Sequence, residues 1–244
     1  MLTPNRSTNR RSLAALTLLC LLGFVAPSAQ ADPILVDNFS SAAAAPAGFG
    51  GAGQTLGAGS VNFVDGPGVS GVIGGVNATR DTTLNFTAGP GTVSLTLGGG
   101  AATYTSSLGT ADGNFSLLYD ANATLVTDLT DSATNNRLLV GVGANTAGTP
   151  VTVTLTDDAM NFAAVTVLTT GSAANLQFLL SSFTTVNPLL DLTQIQSILV
   201  GVNPVAGGSI TLSGIVVTPE PASVLLFAAV GLAAFGYRRR NRPR

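Results

Sequence analysis

The chain has 244 residues, of which 45% are apolar and only 9% are charged, so it is long enough for one domain with additional terminal segments. Ten arginines stand against twelve acidic residues, and the chain has no lysine, histidine or tryptophan. This composition excludes catalysis by a histidine base, by a Ser-His-Asp triad or by a lysine Schiff base, and it excludes imidazole-bound metals.

Residues 1–31 have the order of a secretory signal peptide. A basic start is followed by an apolar run from Leu13 to Val25, which is shorter than the roughly 20 residues that span a bilayer. Ala29 and Ala31 then form a small-x-small cleavage site. We therefore expect a signal helix that guides the chain to the export translocon and that signal peptidase removes after Ala31. The only cysteine, Cys20, leaves with it, so the mature chain has no thiol.

The C-terminal segment 219–244 has three parts. Pro219-Glu220-Pro221 is followed by an apolar run over 222–237 and then by an arginine-rich tail that begins with Arg238, Arg239 and Arg240. As a helix, the apolar run is roughly 24 Å long, slightly less than the hydrocarbon core of a bilayer. The sequence therefore predicts a transmembrane helix over 222–237 whose arginines stay in the cytoplasm while everything before Pro219 lies on the far side.

This order of Pro-Glu-Pro, short apolar helix and arginine cluster resembles the PEP-CTERM sorting signal of Gram-negative bacteria. The resemblance implies recognition by an exosortase, a membrane transpeptidase that cuts near the motif. It also implies transient anchoring in the inner membrane, followed by transfer to the cell surface or release, in bacteria that make exopolysaccharide or biofilm matrix. A permanent single-pass anchor is the alternative, and both place the domain outside the cytoplasm.

Residues 32–218 form the domain between these segments. They contain two arginines and eleven aspartates, so their formal charge is −9 and nucleic acid is excluded as a partner. Polar and apolar residues alternate over 92–97 and 151–156, as in half-buried antiparallel strands. Further strand-length runs lie at 34–37, 69–76, 82–88, 101–107, 114–119, 137–142, 162–169, 174–180, 195–202 and 209–217.

Glycine and proline turns separate most of these runs, which predicts an all-β fold, an antiparallel β-sandwich of the jelly-roll type. A low-complexity Ala/Gly loop is expected over 41–60, and a single helical turn over 191–194. From Asp37-Asn38-Phe39-Ser40 onward, the domain also resembles, loosely, jelly-roll domains of other PEP-CTERM proteins and of carbohydrate-binding modules. That resemblance implies a fold and does not transfer a function.

Candidate binding residues are few. Calcium prefers carboxylate and carbonyl oxygens, so Asp157, Asp158 and Asp112 are candidate ligands, with solvated turn aspartates as the alternative. Saccharides usually stack on aromatic rings, which makes Tyr104 and Tyr119, with Asp120 as an acceptor, candidates for a sugar site.

The sequence favours the first of three functions and predicts that the protein is not an enzyme. The first is a non-enzymatic surface or matrix protein that is associated with exopolysaccharide and needs no cofactor. The second is a carbohydrate-binding module, with or without calcium. The third is a hydrolase, which would need two aspartates facing one groove.

Overall fold

The computed structural model of the protein describes residues 33–40, 53–65, 80–107, 109–120, 126–131 and 135–219. In these ranges, thirteen strands form two antiparallel sheets around a shared apolar core, and the chain also has one short helix. The predicted all-β antiparallel sandwich is therefore confirmed. The predicted signal helix over 1–31, the strand over 69–76 and the transmembrane helix over 222–237 lie outside the described residues.

The elements follow one another along the chain with short connections. They are β1 (Ile34–Asp37), β2 (Gln54–Leu56), β3 (Ser60–Asp65), β4 (Arg80–Ala88), β5 (Val93–Gly98), β6 (Ala101–Ser106), β7 (Asp112–Tyr119), β8 (Asn135–Asn145), β9 (Pro150–Asp157), β10 (Phe162–Leu168), β11 (Ala174–Leu179), α1 (Leu180–Val186), β12 (Ile195–Val202) and β13 (Ser209–Pro219). Strand β2 lies within 41–60, so the C-terminal part of the predicted loop is partly strand, while 41–52 lies outside the described residues.

The described strands divide into a seven-stranded and a six-stranded sheet. The seven-stranded sheet has the order β11-β8-β13-β6-β5-β2, and β1 pairs with the C-terminal part of β13. The six-stranded sheet has the order β10-β9-β12-β7-β4-β3. Long-range pairing of this kind makes β13 a central strand, since it contacts β6 and β1 on one side and β8 on the other.

The predicted alternation accounts for the core. In β5, Val93, Leu95 and Leu97 are buried while the residues between them are half-exposed, and β9 repeats this pattern. One of the glycine turns, Gly98-Gly99-Gly100, joins β5 to β6, and all three residues have a positive φ that disfavours other residue types. Local sequence therefore determines both the strands and the turn here.

The turn predicted over 191–194 is present, and the one helix of the described ranges lies elsewhere in the chain. Residues 191–194 form a turn, in which the Asp191 carboxylate accepts hydrogen bonds from the N–H and hydroxyl of Thr193. The helix is α1, which is rich in Ser and Thr and therefore has weak intrinsic propensity. It is stabilised by tertiary packing, because Leu180 and Phe183, three residues apart, are buried against the core.

Strand β13, the last strand, ends at one end of the sandwich. Pro219 pairs there with Asn135 at the start of β8, and β11 ends next to it at Leu179. Because a short connection joins the other end of β8 to the start of β9, the end of β9 at Asp157 lies at this same end. We call it the exit end, and it carries α1 and the turn between β9 and β10. No helix in the described ranges is long and apolar enough to cross a membrane.

Candidate functional site

A groove lies on the outer face of the seven-stranded sheet, where β13 is bulged. The register of β13 against β8 shifts between Leu212 and Gly214, which places Gly214 opposite Gly141. Because neither residue has a side chain, the backbone forms the floor of the groove. Its volume is about 200 Å³. A cavity on the order of 150 Å³ holds a six-membered ring, so one sugar-sized ring fits here.

Two polar side chains converge on the space above this floor. A Cβ atom built on Gly141 would lie 2.5 Å from Ser213 Oγ and 3.5 Å from Asn175 Oδ1. Within the part of the chain that the structure describes, neither of these side chains has a hydrogen-bond partner. Their hydroxyl and amide groups can therefore donate to, and accept from, the hydroxyl groups of a ligand. The remaining lining residues are Leu35, Asp37, Asn38, Leu139, Ile215 and Val216.

The groove is close to neutral. Among the described residues that line it, the only acidic one is Asp37, whose carboxylate points into the core and is engaged there. Arg137 follows on the outer face of β8, and it donates hydrogen bonds to the side chains of Gln177 (3.2 Å) and Asn136 (3.3 Å). Amides, a hydroxyl and one guanidinium therefore surround a partly apolar floor, an arrangement suited to a hydroxylated, uncharged ligand.

Rows of hydroxyl groups continue from the groove across the same face. Thr211 of β13 lies opposite Thr103 of β6, which in turn lies opposite Thr96 of β5. In the next row, the hydroxyls of Ser94 and Thr105 are 2.7 Å apart. From β11 to β5 there are four strand spacings, or about 19 Å, so an extended polymer could contact the groove and these rows together.

The interior holds a charged pair that joins the two sheets. Arg80 of β4 donates a hydrogen bond from Nη1 to Oδ2 of Asp37 of β1 at 2.8 Å, and both side chains are buried. The Tyr119 hydroxyl donates to the same oxygen at 2.9 Å, while the Phe39 N–H donates to Oδ1 at 2.7 Å. The Arg80 guanidinium also lies over the Phe39 ring, 5.9 Å from its centre. Such a network serves the sandwich rather than a surface ligand.

The two predicted saccharide tyrosines lie in the core. Tyr104 is 1% exposed, stacks on Phe115 and donates a hydrogen bond to the carbonyl of Gly113. Burial, with a contribution from the Asp112 carboxylate, raises the pKa of Tyr104 to about 12. Tyr119 is 0% exposed. In this structure neither ring reaches a ligand at the surface, and Asp120 is half-exposed beside a buried ring.

The three predicted calcium ligands are not brought together. Asp157 is buried at the exit end, Asp158 is exposed, and Asp112 lies at the opposite end of the six-stranded sheet. Asp157 accepts hydrogen bonds from the N–H and side-chain amide of Asn161 and from the N–H of Asp191. Burial acts to raise its pKa, but these hydrogen bonds outweigh it, and the pKa of Asp157 is lowered. No group of three metal-binding side chains occurs in the described ranges.

Sequence reasoning missed the residues that form the groove. A usable signal was present, because Gly141 and Gly143 interrupt an apolar strand pattern, and glycine in a strand marks a bulge or a close approach. The positions of Asn175 and Ser213 above Gly141 depend on the pairing of β11 and β13 with β8, which no local pattern specifies.

Comparison with known families confirms the C-terminal motif. The family model described as the PEP-CTERM protein-sorting motif matches residues 217–240. Pro219, the first residue of its Pro-Glu-Pro, is also the last residue of β13, whereas Glu220, Pro221 and the arginines lie outside the described residues. No curated protein matches the chain.

Several solved carbohydrate-binding modules resemble the described fold. A family 30 module of a cellulosomal cellulase of Clostridium thermocellum is 11% identical, covers 78% of this chain and 99% of its own, and has a TM-score of 0.43. A family 11 module from the same organism is 13% identical, with 78% and 95% covered and a TM-score of 0.38. A family 29 module is 14% identical, with 65% and 92% covered and a TM-score of 0.34. Likeness at this level assigns no ligand to the present chain.

Proposed function

We propose that the protein is an exported, non-enzymatic surface or matrix protein that an exosortase sorts through its C-terminal signal. The observation that carries this proposal is the PEP-CTERM motif over 217–240. The composition supports it, since the domain has neither histidine nor lysine and its buried ion pair is committed to packing. On this proposal the domain is anchored briefly in the inner membrane and then resides at the cell surface or in extracellular polysaccharide.

Changing the sorting motif is expected to remove the protein from the surface fraction. The triple variant Pro219→Ala, Glu220→Ala, Pro221→Ala keeps the apolar segment, so the chain should still be exported and should then accumulate in the inner membrane. Fractionation and immunoblotting of cells with an active exosortase measure this. Pro243→Ala, in the tail beyond the matched motif, is the control and should leave sorting unchanged. An unaltered surface fraction in the triple variant would contradict the proposal.

A second function, carbohydrate binding, is favoured by one observation, the neutral groove above Gly141. Its free amide and hydroxyl groups suit the hydroxyls of a neutral polysaccharide. The domain charge of −9 disfavours uronate-rich chains, because like charges repel. In this alternative, the proposed sugar-binding site is the groove, and the buried residues Tyr104 and Tyr119 are not part of it.

Gly141→Ala is expected to weaken binding of neutral polysaccharide by about tenfold, which is 1.4 kcal/mol. The new methyl group would occupy the space on which Ser213 and Asn175 converge. Affinity electrophoresis in gels containing neutral or acidic polysaccharides measures the effect.

The matched control is Gly143→Ala on the same strand and face. Its Cβ atom would meet Thr211 only at ordinary contact distances of 3.6 Å and more, outside the groove. Gly143→Ala should therefore migrate like the unchanged protein. Equal retardation of both variants, or none for the unchanged protein with any polysaccharide, would count against this second function and would leave the sorting proposal unaffected.

A further inference from the structure

Large apolar side chains are exposed mainly at the exit end. Of the nine that are exposed among the described residues, only Leu168 and Val205 lie at the opposite end. The most exposed ones come from the β9–β10 turn, the start of β10, the end of α1 and the segment that follows α1. We call these four the apolar rim: Met160 (70% exposed), Phe162 (64%), Val186 (60%) and Leu189 (74%).

Hydrogen bonds hold the segments of the apolar rim together. The side-chain amide of Asn187 donates to the carbonyl of Phe162 at 3.0 Å, and that of Asn161 donates to the carbonyl of Leu189 at 3.2 Å. Met160 has a φ of +64°, which is uncommon for a residue with a side chain. The chain thus fixes four apolar side chains in positions where water surrounds them, which marks an interaction surface.

The course of the chain indicates what covers this surface. Strand β13 ends at Pro219 at the exit end, and the apolar segment 222–237 begins three residues later. Three residues of extended chain reach about 10 Å. Once 222–237 is inserted, Pro219 therefore lies within that distance of the membrane interface, whereas the opposite end of the sandwich is a strand length away from Pro219.

We infer that the apolar rim docks on the lipid bilayer that holds the C-terminal segment. This inference rests on the anchoring step of the proposed function. Phenylalanine, leucine, methionine and valine side chains bury favourably at the boundary between headgroups and acyl chains. Asp158 and Asp191 are exposed at the same end, so the contact is stronger on zwitterionic than on anionic lipid.

A tryptophan reporter tests this inference on the full chain. The protein has no tryptophan, so Phe162→Trp and Leu189→Trp each introduce a single fluorophore into the apolar rim. Val205→Trp and Leu168→Trp are the matched controls, because both positions are exposed at the opposite end. Each variant is reconstituted in phosphatidylcholine vesicles with and without brominated acyl chains, and flotation on a density gradient measures anchoring.

Brominated lipid is expected to quench the fluorescence of the Phe162→Trp and Leu189→Trp variants by about half and to leave both control variants nearly unaffected, since only the rim enters the acyl boundary. Replacing part of the lipid with phosphatidylglycerol should reduce the quenching. Flotation of the chain without quenching at the rim would overturn the inference alone. Failure to float would overturn the anchoring step as well. The tryptophan in the rim could instead become inaccessible to water at high protein concentration while brominated lipid leaves its fluorescence unquenched. That result would show that a second copy of the chain covers the rim, and it would also overturn bilayer docking.

Discussion

Replacing Asp37 with alanine is expected to lower the free energy of unfolding by about 3–5 kcal/mol, because the change removes the carboxylate of a buried ion pair and leaves the charge of Arg80 in the core. Arg80 is 1% exposed and donates to the Asp37 carboxylate at 2.8 Å. Two further donors, the Tyr119 hydroxyl and the Phe39 N–H, would lose the same acceptor. Thermal and urea melts of the full chain in mild detergent, followed by circular dichroism, measure the loss.

Three companion variants separate the charge from the packing. Tyr119→Phe removes one neutral donor and should cost about 1 kcal/mol. Asn38→Ala alters the neighbouring half-exposed side chain and removes only its local hydrogen bond from the Ser40 N–H, so it should cost about 1 kcal/mol or less. The double variant Asp37→Leu, Arg80→Met removes both charges and should be more stable than Asp37→Ala, because neither charge of the pair then stays buried. A double variant as unstable as Asp37→Ala would show that packing, rather than the buried arginine charge, carries the effect.

The ion pair ties the first described strand to the opposite sheet. Asp37 belongs to β1, which begins three residues after the predicted signal cleavage at Ala31, and Arg80 belongs to the opposite sheet. Strand β1 is therefore fastened to the sandwich by a buried charge and by pairing with the last strand, β13. Since β13 runs directly into the matched PEP-CTERM motif, the first and last described strands lie next to each other in one sheet.

The strands follow from local sequence, whereas the site does not. Alternation over Asp112–Tyr119 places Gly113, Phe115 and Leu117 on the buried face together with Tyr119. The same period argues that Tyr119 is a core residue, so the sequence contained the correction to its predicted saccharide role. Position 104 alternates with the buried Ala102 in the same way.

The groove and the inter-sheet pair depend on contacts between distant segments. Asn175 and Ser213 are separated by 38 positions in the chain, and they converge because β11 and β13 flank β8 in one particular register. A shift of one residue would turn each strand over and remove the groove. Asp37 and Arg80, 43 residues apart, pair only because β1 and β4 lie in opposite sheets. Register and layer order are global properties, and neither charge nor periodicity encodes them locally.

Asp157 has the second-largest expected effect on stability. Its carboxylate joins the β9–β10 turn, through Asn161, to the segment before β12, through the N–H of Asp191. Asp157→Ala would leave these donors without an acceptor, at a cost of about 2–3 kcal/mol for hydrogen bonds to a charged group. The same two segments carry Met160 and Leu189, so loss of Asp157 should also loosen the apolar rim. Faster hydrogen exchange in 158–162 and 187–191 would report this, and the exposed neighbour Asp158→Asn is the control.

The stability of the protein at acid pH should depend on the Asp157 carboxylate. Because the folded-state pKa of Asp157 lies below its ordinary value of 3.8, the ionised group stabilises the fold fully at pH values above 3.8, and this contribution is lost as the pH falls through the folded-state pKa. Asp157→Asn cannot titrate, so its stability should fall less steeply below pH 4 than that of the unchanged protein, and Asp158→Asn is the matched substitution at an exposed aspartate. Urea melts between pH 3 and pH 7 compare the three proteins, and identical acid slopes for Asp157→Asn and the unchanged protein would refute the assignment.

Repeating the pH 7 melts with calcium and with a chelator tests the predicted calcium ion at the exit end. Because N–H donors already engage the Asp157 oxygens, the urea midpoint should not move. A midpoint shift with calcium would instead support Asp157 as a calcium ligand.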